Sequence, residues 1–109
     1  MLPTEISTKK VKELLDAQDD LLLLDCRRDD EHAICQIDGA VLIPMDELPT
    51  RIGELDAARE KLLVVYCHHG MRSLRVVNWL RQQGFDKSQS MSGGIHAWSE
   101  EIDPSVPTY

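Results

Sequence analysis

The chain has 109 residues, a hydrophobic fraction of 42% and a formal net charge of −7 at pH 7. A chain of this length forms one domain with a core of its own, and its hydrophobic fraction is ordinary for a globular protein. The acidic balance argues against nucleic acids and anionic membrane surfaces as partners, so an anionic substrate has to be attracted by a local field.

The cysteine count and the lack of long apolar runs point to a reducing compartment. Cys26, Cys35 and Cys67 contain no CxxC pair and do not form a disulfide framework. The first ten residues lack the apolar segment of a signal peptide, and no apolar run approaches the 18 residues of a membrane span. We therefore expect a cytoplasmic protein without a membrane partner, in which thiols stay reduced.

The first half of the chain predicts two helices and two strands. Ser7 is positioned to cap a helix over residues 8–17, whose apolar residues recur at helical spacing. The run LLLLD, residues 21–25, is typical of a strand that is covered on both faces. A short helix near residues 31–35 and a second strand at residues 40–43 follow.

The second half repeats the alternation. The apolar residues between Leu48 and Leu55 indicate a helical stretch, and residues 62–66 predict the strongest strand. Residues 72–83 predict the strongest helix, and residues 88–92 predict a last strand. After this strand come two glycines, expected to allow close backbone approach, and a short helix that carries Trp98 as a core anchor.

Strands that alternate with helices predict an α/β fold with a parallel sheet, right-handed crossovers and helices on both faces. Sites in such sheets lie beyond the carboxyl ends of the strands. Asp25 and Cys67 both fall at strand ends, so we expect them on the same rim of the sheet.

Cys67 lies where a buried strand gives way to a helix, and this position favours a thiolate. Unpaired N–H groups and the positive end of the helix dipole converge there. Gly70 can adopt a positive φ and turn N–H groups inward, Arg72 adds positive potential, and Ser73 can cap the helix or donate to an anion. The alternative, a small core cysteine, would fit a position two residues earlier in the strand better.

The spacing from Cys67 to Arg72 separates two anion chemistries. Phosphoryl or arsenyl chemistry uses a cysteine, five residues and then an arginine that clamps the oxygens. Only four residues, His68 to Met71, separate Cys67 from Arg72 here. The smaller loop suits one added atom, the outer sulfur of a persulfide.

Four segments resemble single-domain rhodaneses, which are sulfurtransferases, from about residue 5 to residue 100. LLDCRRDDEH contains an Asp-x-Arg pattern at Asp25 and Arg27, and VVYCHHGMRS and MSGGIHAW resemble the active-site loop and a closing Gly-Gly-x-x-Ala-Trp element. The fourth segment, CQIDGAVLIP, keeps four residues of the family pattern: Ile37, Gly39, Ala40 and Pro44. It departs at three others, where the family has Gly, His and Pro: Cys35, Gln36 and Asp38.

The resemblance implies a rhodanese-like fold: a five-stranded parallel sheet with helices on both faces, in one domain spanning residues 1–109. Its core lies at about residues 5–100, and residues 101–109 form a C-terminal tail. The ending AWSEEIDPSVPTY also resembles rhodanese domains fused to activating enzymes of ubiquitin-like sulfur carriers. A sulfur-carrier system is therefore a further candidate partner, and we expect a monomer.

The resemblance implies sulfur transfer without a metal or an organic cofactor. Cys67 takes the sulfane sulfur of thiosulfate or a related anion and passes it to cyanide or a thiol, with ping-pong kinetics. The implied substrate-binding loop comprises His68, His69, Gly70, Met71, Arg72 and Ser73. Two alternatives stay open: a persulfide carrier or interaction module that serves a sulfur-relay partner, and a cysteine phosphatase or arsenate reductase, against which the loop length argues.

The side chains around the cysteine have open roles. Those of His68 and His69 either supply positive charge or a proton near the anion, or point outward while their N–H groups serve it; we expect the second. Arg72 either binds the sulfonate of the donor or holds the loop by pairing with an acid. Asp25 and Arg27 support the cysteine loop, form a strand-terminal salt bridge, or do both.

The remaining cysteines and acids are given structural interpretations. Cys26 is expected to pack as a small hydrophobe, with sulfur relay or a disulfide to Cys67 as alternatives, and Cys35 is expected to be exposed. A zinc site is disfavoured because residues 67–69 are consecutive and paired ligand spacings are lacking; its candidate ligands are Cys26, His32, Cys35, Cys67, His68 and His69. Five acids are interpreted as solvated turns and helix caps: Asp19, Asp20, Asp29, Asp30 and Glu31.

Overall fold

The computed structural model of the protein describes residues 2–109. Within this range five strands form one sheet: β1 (Glu5–Ile6), β2 (Leu21–Asp25), β3 (Val41–Leu42), β4 (Leu62–Tyr66) and β5 (Ser88–Met91). The strand order is β1-β5-β4-β2-β3, and every neighbouring pair is parallel. The expected α/β class with a five-stranded parallel sheet is confirmed.

Helices connect the strands. They are α1 (Thr8–Asp16), α2 (Asp29–Ile34), α3 (Leu48–Arg51), α4 (Met71–Gln82) and α5 (Gly94–Glu101), with 3₁₀ turns at Met45–Glu47 and Ile52–Ala58 beside α3. Ser7 caps α1 as expected, because its hydroxyl oxygen accepts the N–H of Lys10 at 3.1 Å. No helix in residues 2–109 is both long enough and apolar enough to cross a bilayer.

Alternate residues of the central strands supply two separate cores, one on each face of the sheet. On one face, side chains of β2 and β4 pack against α3 and α4: Leu24, Leu63, Val65, Leu48, Val77 and Leu80. On the other face, the intervening side chains pack against α1 and α5: Leu23, Val64, Tyr66, Val11, Ile95 and Trp98. The unalternated apolar runs of β2 and β4 are thus explained, and the prediction of helices on both faces is confirmed.

The carboxyl ends of the central strands meet at one rim. Asp25 at the end of β2 is paired in register with Tyr66 at the end of β4. Cys67 follows directly, so the expectation that Asp25 and Cys67 share a rim is confirmed.

Candidate active site

The sulfur of Cys67 lies between the core and two backbone donors. Cys67 is 1% exposed and belongs to the apolar cluster on the α4 face. Its Sγ accepts the N–H of Gly70 at 3.1 Å and the N–H of Ser73 at 3.4 Å. The Oγ of Ser73 is also 3.4 Å from the sulfur. Negative charge on this sulfur would therefore be stabilised by donors at the N-terminal end of α4.

Gly70 has the left-handed backbone that its position in the loop requires. Its φ is +101°, and it forms the N-cap of α4. A Cβ atom at this position would lie 3.2 Å from the backbone nitrogen of Gly93. Side chains are therefore disfavoured at Gly70 by both conformation and space.

The two glycines before α5 bring this helix against the cysteine loop. A Cβ atom on Gly94 would overlap the carbonyl oxygen of Cys67, so only glycine allows this approach. The N–H of Ile95 donates to the carbonyl of Cys67 at 2.9 Å, and that of His96 donates to the carbonyl of His68 at 3.1 Å. The first turn of α5 is thus hydrogen-bonded to the backbone of the cysteine loop. The close backbone approach expected at the two glycines is confirmed.

Ser73 ties the start of α4 to strand β5. Its Oγ lies 2.7 Å from the Oγ of Ser90 and 3.2 Å from the carbonyl oxygen of Gly70, to which it donates. Ser73 and Ser90 are both fully buried. The hydroxyl of Ser73 therefore holds the loop and contacts the sulfur at the same time.

Arg72 is engaged by a buried acid. Its two terminal nitrogens contact Glu31 at 2.7 and 2.8 Å, in a bidentate pair between α4 and α2. The expectation of a solvated Glu31 is wrong, because its side chain is 6% exposed. Hydrogen bonds from Arg72 lower the pKa of Glu31 to about 2, and the same pairing raises the pKa of Arg72. Of the two roles expected for Arg72, the structure contains the pairing with an acid.

Asp25 and Arg27 form a buried ion pair. Arg27 donates to both oxygens of Asp25, at 2.9 and 2.7 Å, and both side chains are fully buried. The Nδ1 of His32 lies 2.8 Å from the same carboxylate. Burial alone would raise the pKa of Asp25, but the hydrogen bonds from Arg27 and His32 lower it. The strand-terminal salt bridge is therefore present.

Tyr109, which the sequence did not indicate as a site residue, connects this ion pair to the loop. Its hydroxyl donates to Glu31 at 2.8 Å and accepts from Arg27 at 2.9 Å. Its ring stacks on that of His68, with centroids 3.8 Å apart and planes at 10°. Tyr109 lies 78 residues from Glu31 in sequence, so no local pattern indicates the contact.

The loop side chains differ in exposure. His69 and Met71 are exposed, and Met71 is 69% exposed. His68 is half-buried between the rings of Tyr109 and His69, which contradicts the expectation that it points outward. Burial and the adjacent His69 lower the pKa of His68.

The other two cysteines are both buried free thiols. Cys26 packs in the core as expected, with its Sγ 3.4 Å from the carbonyl oxygen of Tyr66, and burial raises the pKa of Cys26. The exposure expected for Cys35 is wrong, because it is only 6% exposed. The guanidinium of Arg27 draws this segment inward by donating to the carbonyl of Cys35 at 2.6 Å.

The cap of α2 differs from the expectation, and the side chains with metal-ligand spacing are not the set considered from the sequence. Arg28, and neither Asp29 nor Asp30, is the N-cap residue of α2, and its N–H is bound by the carboxylate of Glu31 at 3.2 Å. Within residues 2–109, the group of side chains with metal-ligand spacing is His68, His69 and His96. The sequence does not indicate His96 as a metal ligand, because its position beside His68 and His69 depends on the approach of α5 to the loop.

Comparisons with known proteins agree with this geometry. Residues 7–101 match the family described as the rhodanese-like domain. YtwF of Bacillus subtilis, a candidate sulfurtransferase, is 41% identical over 100 residues that cover 92% of this chain and 94% of YtwF. The adenylyltransferase and sulfurtransferase MOCS3 of Arabidopsis thaliana is 34% identical over 125 residues. That match covers 100% of this chain but only 27% of MOCS3, so the chain spans about a quarter of that relative.

A solved structure is similar over the whole fold. The crystal structure of a rhodanese-like domain protein from Staphylococcus aureus superimposes with a TM-score of 0.83 at 29% identity. The match covers 98% of this chain and 99% of that one.

Proposed function

Because the chain belongs to the rhodanese-like domain family, we propose that it is a sulfurtransferase in which Cys67 carries the transferred sulfur as a persulfide. The observation that carries this proposal is the pair of N–H groups, from Gly70 and Ser73, within 3.4 Å of Cys67 Sγ. Such donors stabilise a thiolate before the reaction and the terminal sulfur of a persulfide after it.

The proposed reaction has two halves and needs no external oxidant. The Cys67 thiolate attacks the outer sulfur of thiosulfate or a related donor, a new S–S bond forms, and sulfite leaves with the electron pair of the broken S–S bond. Cyanide or a thiolate then attacks the terminal sulfur, and the departing electron pair restores the Cys67 thiolate. Each half is a displacement on sulfur, so the kinetics are ping-pong.

The remaining residues are assigned either to holding the cysteine loop in place or to the approach of the sulfur donor and acceptor. Arg72 is a positioning residue, because both terminal nitrogens of its guanidinium are bound to Glu31. The sulfur donor would therefore meet the positive end of α4 and not the guanidinium of Arg72. Asp25 and Arg27 support the loop through the bonds of Arg27 to Tyr109 and to the carbonyl of Glu31. His69 and Met71, both exposed, are assigned to the approach of donor and acceptor.

The same residues argue against phosphate ester cleavage. Four residues separate Cys67 from Arg72, one fewer than the phosphoryl pattern uses. Because the terminal nitrogens of Arg72 are paired with Glu31, its guanidinium is also not free to bind two phosphate oxygens. Hydrolysis of a phosphate ester by this chain would contradict the proposal.

A carrier role is the second candidate, supported by the full-length match of this chain to part of MOCS3. In this version Cys67 receives its sulfur from another protein and passes it to a ubiquitin-like sulfur carrier. Both versions use the same persulfide and the same loop, and both need the reduced thiols of a compartment such as the cytoplasm.

The experiment measures the intact mass of the reduced protein after incubation with thiosulfate. We expect a gain of one sulfur atom, removed by cyanide with release of thiocyanate. Cys67→Ser should abolish the gain, whereas Cys26→Ser, which removes another buried thiol at the same rim, should retain it. A gain that survives Cys67→Ser would overturn the persulfide at Cys67. No gain from thiosulfate, with a gain from a persulfide-bearing protein, would favour the carrier.

A further inference from the structure

Three imidazoles meet beside the cysteine loop. One ring nitrogen from each of His68, His69 and His96 lies within 4.8 Å of the other two. The rings of His68 and His69 stack at 3.9 Å between centroids, and those of His69 and His96 lie 5.0 Å apart. His68 and His69 come from the loop and His96 from α5, so the fold brings together donors that are 27 residues apart in the chain.

Two of these nitrogens are buried without a hydrogen-bond partner. Among the polar side-chain atoms of residues 2–109, the unpartnered buried ones are the Nε2 of His68 and the Nδ1 of His96. Leaving such atoms unpaired costs free energy, so native proteins rarely keep them without a function. Both atoms belong to the same cluster, so one ligand could bind both of them.

The other nitrogen of His96 is already held in the manner of a metal ligand. Its Nε2 contacts the carboxylate of Glu100 at 3.1 Å, one turn along α5. Metal-binding histidines usually donate their second N–H to a carboxylate, which fixes the tautomer and leaves the first nitrogen free to bind. The stacking of His68 on Tyr109 restricts the rotation of the second ring.

We infer that His68, His69 and His96 form a binding site for one divalent transition-metal ion of the Zn²⁺, Ni²⁺ or Cu²⁺ class. Imidazole nitrogen is a good ligand for these ions, and three protein ligands would leave one coordination position open. A zinc ion with Zn–N bonds of about 2.0–2.1 Å holds its nitrogens about 3.3 Å apart. The nitrogens, which lie within 4.8 Å of one another, must therefore close by up to about 1.5 Å, and the exposed His69 is the one that is free to rotate.

The inference does not rest on sulfur transfer, because none of the ligands is the reacting atom, although His69 is also assigned to the approach of donor and acceptor. The site differs from the zinc candidate disfavoured by sequence, since it uses no cysteine and takes its third ligand from α5. If no persulfide formed at Cys67, the metal site would still stand. If no metal bound to the three histidines, the persulfide proposal would still stand.

The test is direct titration of reduced protein, prepared without a histidine tag, with Zn²⁺ in competition with a chromophoric chelator. We expect one saturable site. His96→Ala and His69→Ala should each abolish competition, and Glu100→Gln should weaken affinity by about 10-fold through loss of the orienting carboxylate. His32→Gln, the matched control, removes the one histidine outside the cluster and should leave zinc affinity unchanged.

A second readout identifies the ligand atoms. In ¹⁵N spectra of the histidine rings, Zn²⁺ should shift the Nε2 of His68 and the Nδ1 of His96, while both nitrogens of His32 keep their positions. Circular dichroism melts without metal establish that each variant is folded. Zinc affinity unchanged by His96→Ala, or lost only in Cys67→Ser, would overturn the site.

Discussion

The direction of one backbone N–H group, that of Gly70, governs how the sulfur of Cys67 is held. The donor reaches Sγ at 3.1 Å in a tight loop in which Gly70 itself has a φ of +101°. This conformation costs other residues about 1–2 kcal/mol. The backbone nitrogen of Gly93, 3.2 Å from the position of a Cβ, prevents an easy adjustment.

Gly70→Ala should therefore slow persulfide formation while the chain stays folded. If the loop relaxes and the N–H turns away from Sγ, the loss of one such donor corresponds to a decrease of about 10²–10³-fold in rate. Single-turnover mass spectrometry with thiosulfate measures the rate. Gly53→Ala is the matched control, since a Cβ there would contact nothing within 4 Å. A wild-type rate in Gly70→Ala would refute the role of this donor.

The sequence predicted those residues of the site whose roles are local. The strand end at Cys67, the positive φ at Gly70 and the start of α4 follow from about ten consecutive residues. Glu31, His96 and Tyr109 could not be assigned in this way, because their partners lie 41, 28 and 78 residues away along the chain. The burial of Glu31, in particular, depends on its tertiary contacts with Arg72 and Tyr109.

The same distinction holds for the secondary-structure elements. Strands were predicted at residues 21–25, 40–43, 62–66 and 88–92, where β2, β3, β4 and β5 lie, but β1 contains only two residues, too few for a periodicity. The five-strand count therefore depended on the resemblance to rhodaneses. β5 reads SQSM and is buried at every position, because its serines are hydrogen-bonded: Ser88 donates to Phe85 O at 2.9 Å and Ser90 pairs with Ser73.

The contact between α2 and α4 depends on the ionised form of Glu31. The pKa of this carboxyl is about 2 in the folded protein, below its ordinary value of 4.5, chiefly because of the hydrogen bonds from Arg72. A lowered folded-state pKa stabilises the fold above pH 4.5, and the contribution is lost as the pH falls from 4.5 towards 2. A shift of this size corresponds to about 3 kcal/mol.

Glu31→Gln should lower the free energy of unfolding at pH 7 by about this amount and flatten its fall between pH 4.5 and 2. Urea unfolding at a series of pH values measures both effects. Glu54→Gln is the control, because Glu54 pairs with Arg51 at an exposed position and its removal should change stability little. If the free energy of unfolding of Glu31→Gln fell as steeply between pH 4.5 and 2 as that of the wild type, other carboxyls would account for the loss of stability in acid.

At the scale of the whole molecule, Arg27 links segments that are distant in the chain. Its guanidinium contacts Asp25 on β2, the backbone of α2 and of Cys35, and the hydroxyl of Tyr109. Each of these partners satisfies a donor that has no access to water, since Arg27 is fully buried. Removing one partner of such a group costs more than the bond itself contributes, because the donor remains buried and unpaired.

Tyr109→Phe isolates the contribution of the tail to this arrangement. The variant keeps an aromatic ring to stack on His68 but removes the hydroxyl that bridges Arg27 and Glu31. We expect the free energy of unfolding in urea to fall by about 1–2 kcal/mol, a modest value because Tyr109 is 39% exposed and water can replace part of the bond. Tyr109→Ala should cost more, since the stacking is lost too. Thr108→Ala, at the exposed preceding residue, is the control and should leave the free energy of unfolding unchanged. Equal stability of Tyr109→Phe and the wild type would show that the tail only covers the ion pair without bonding to it.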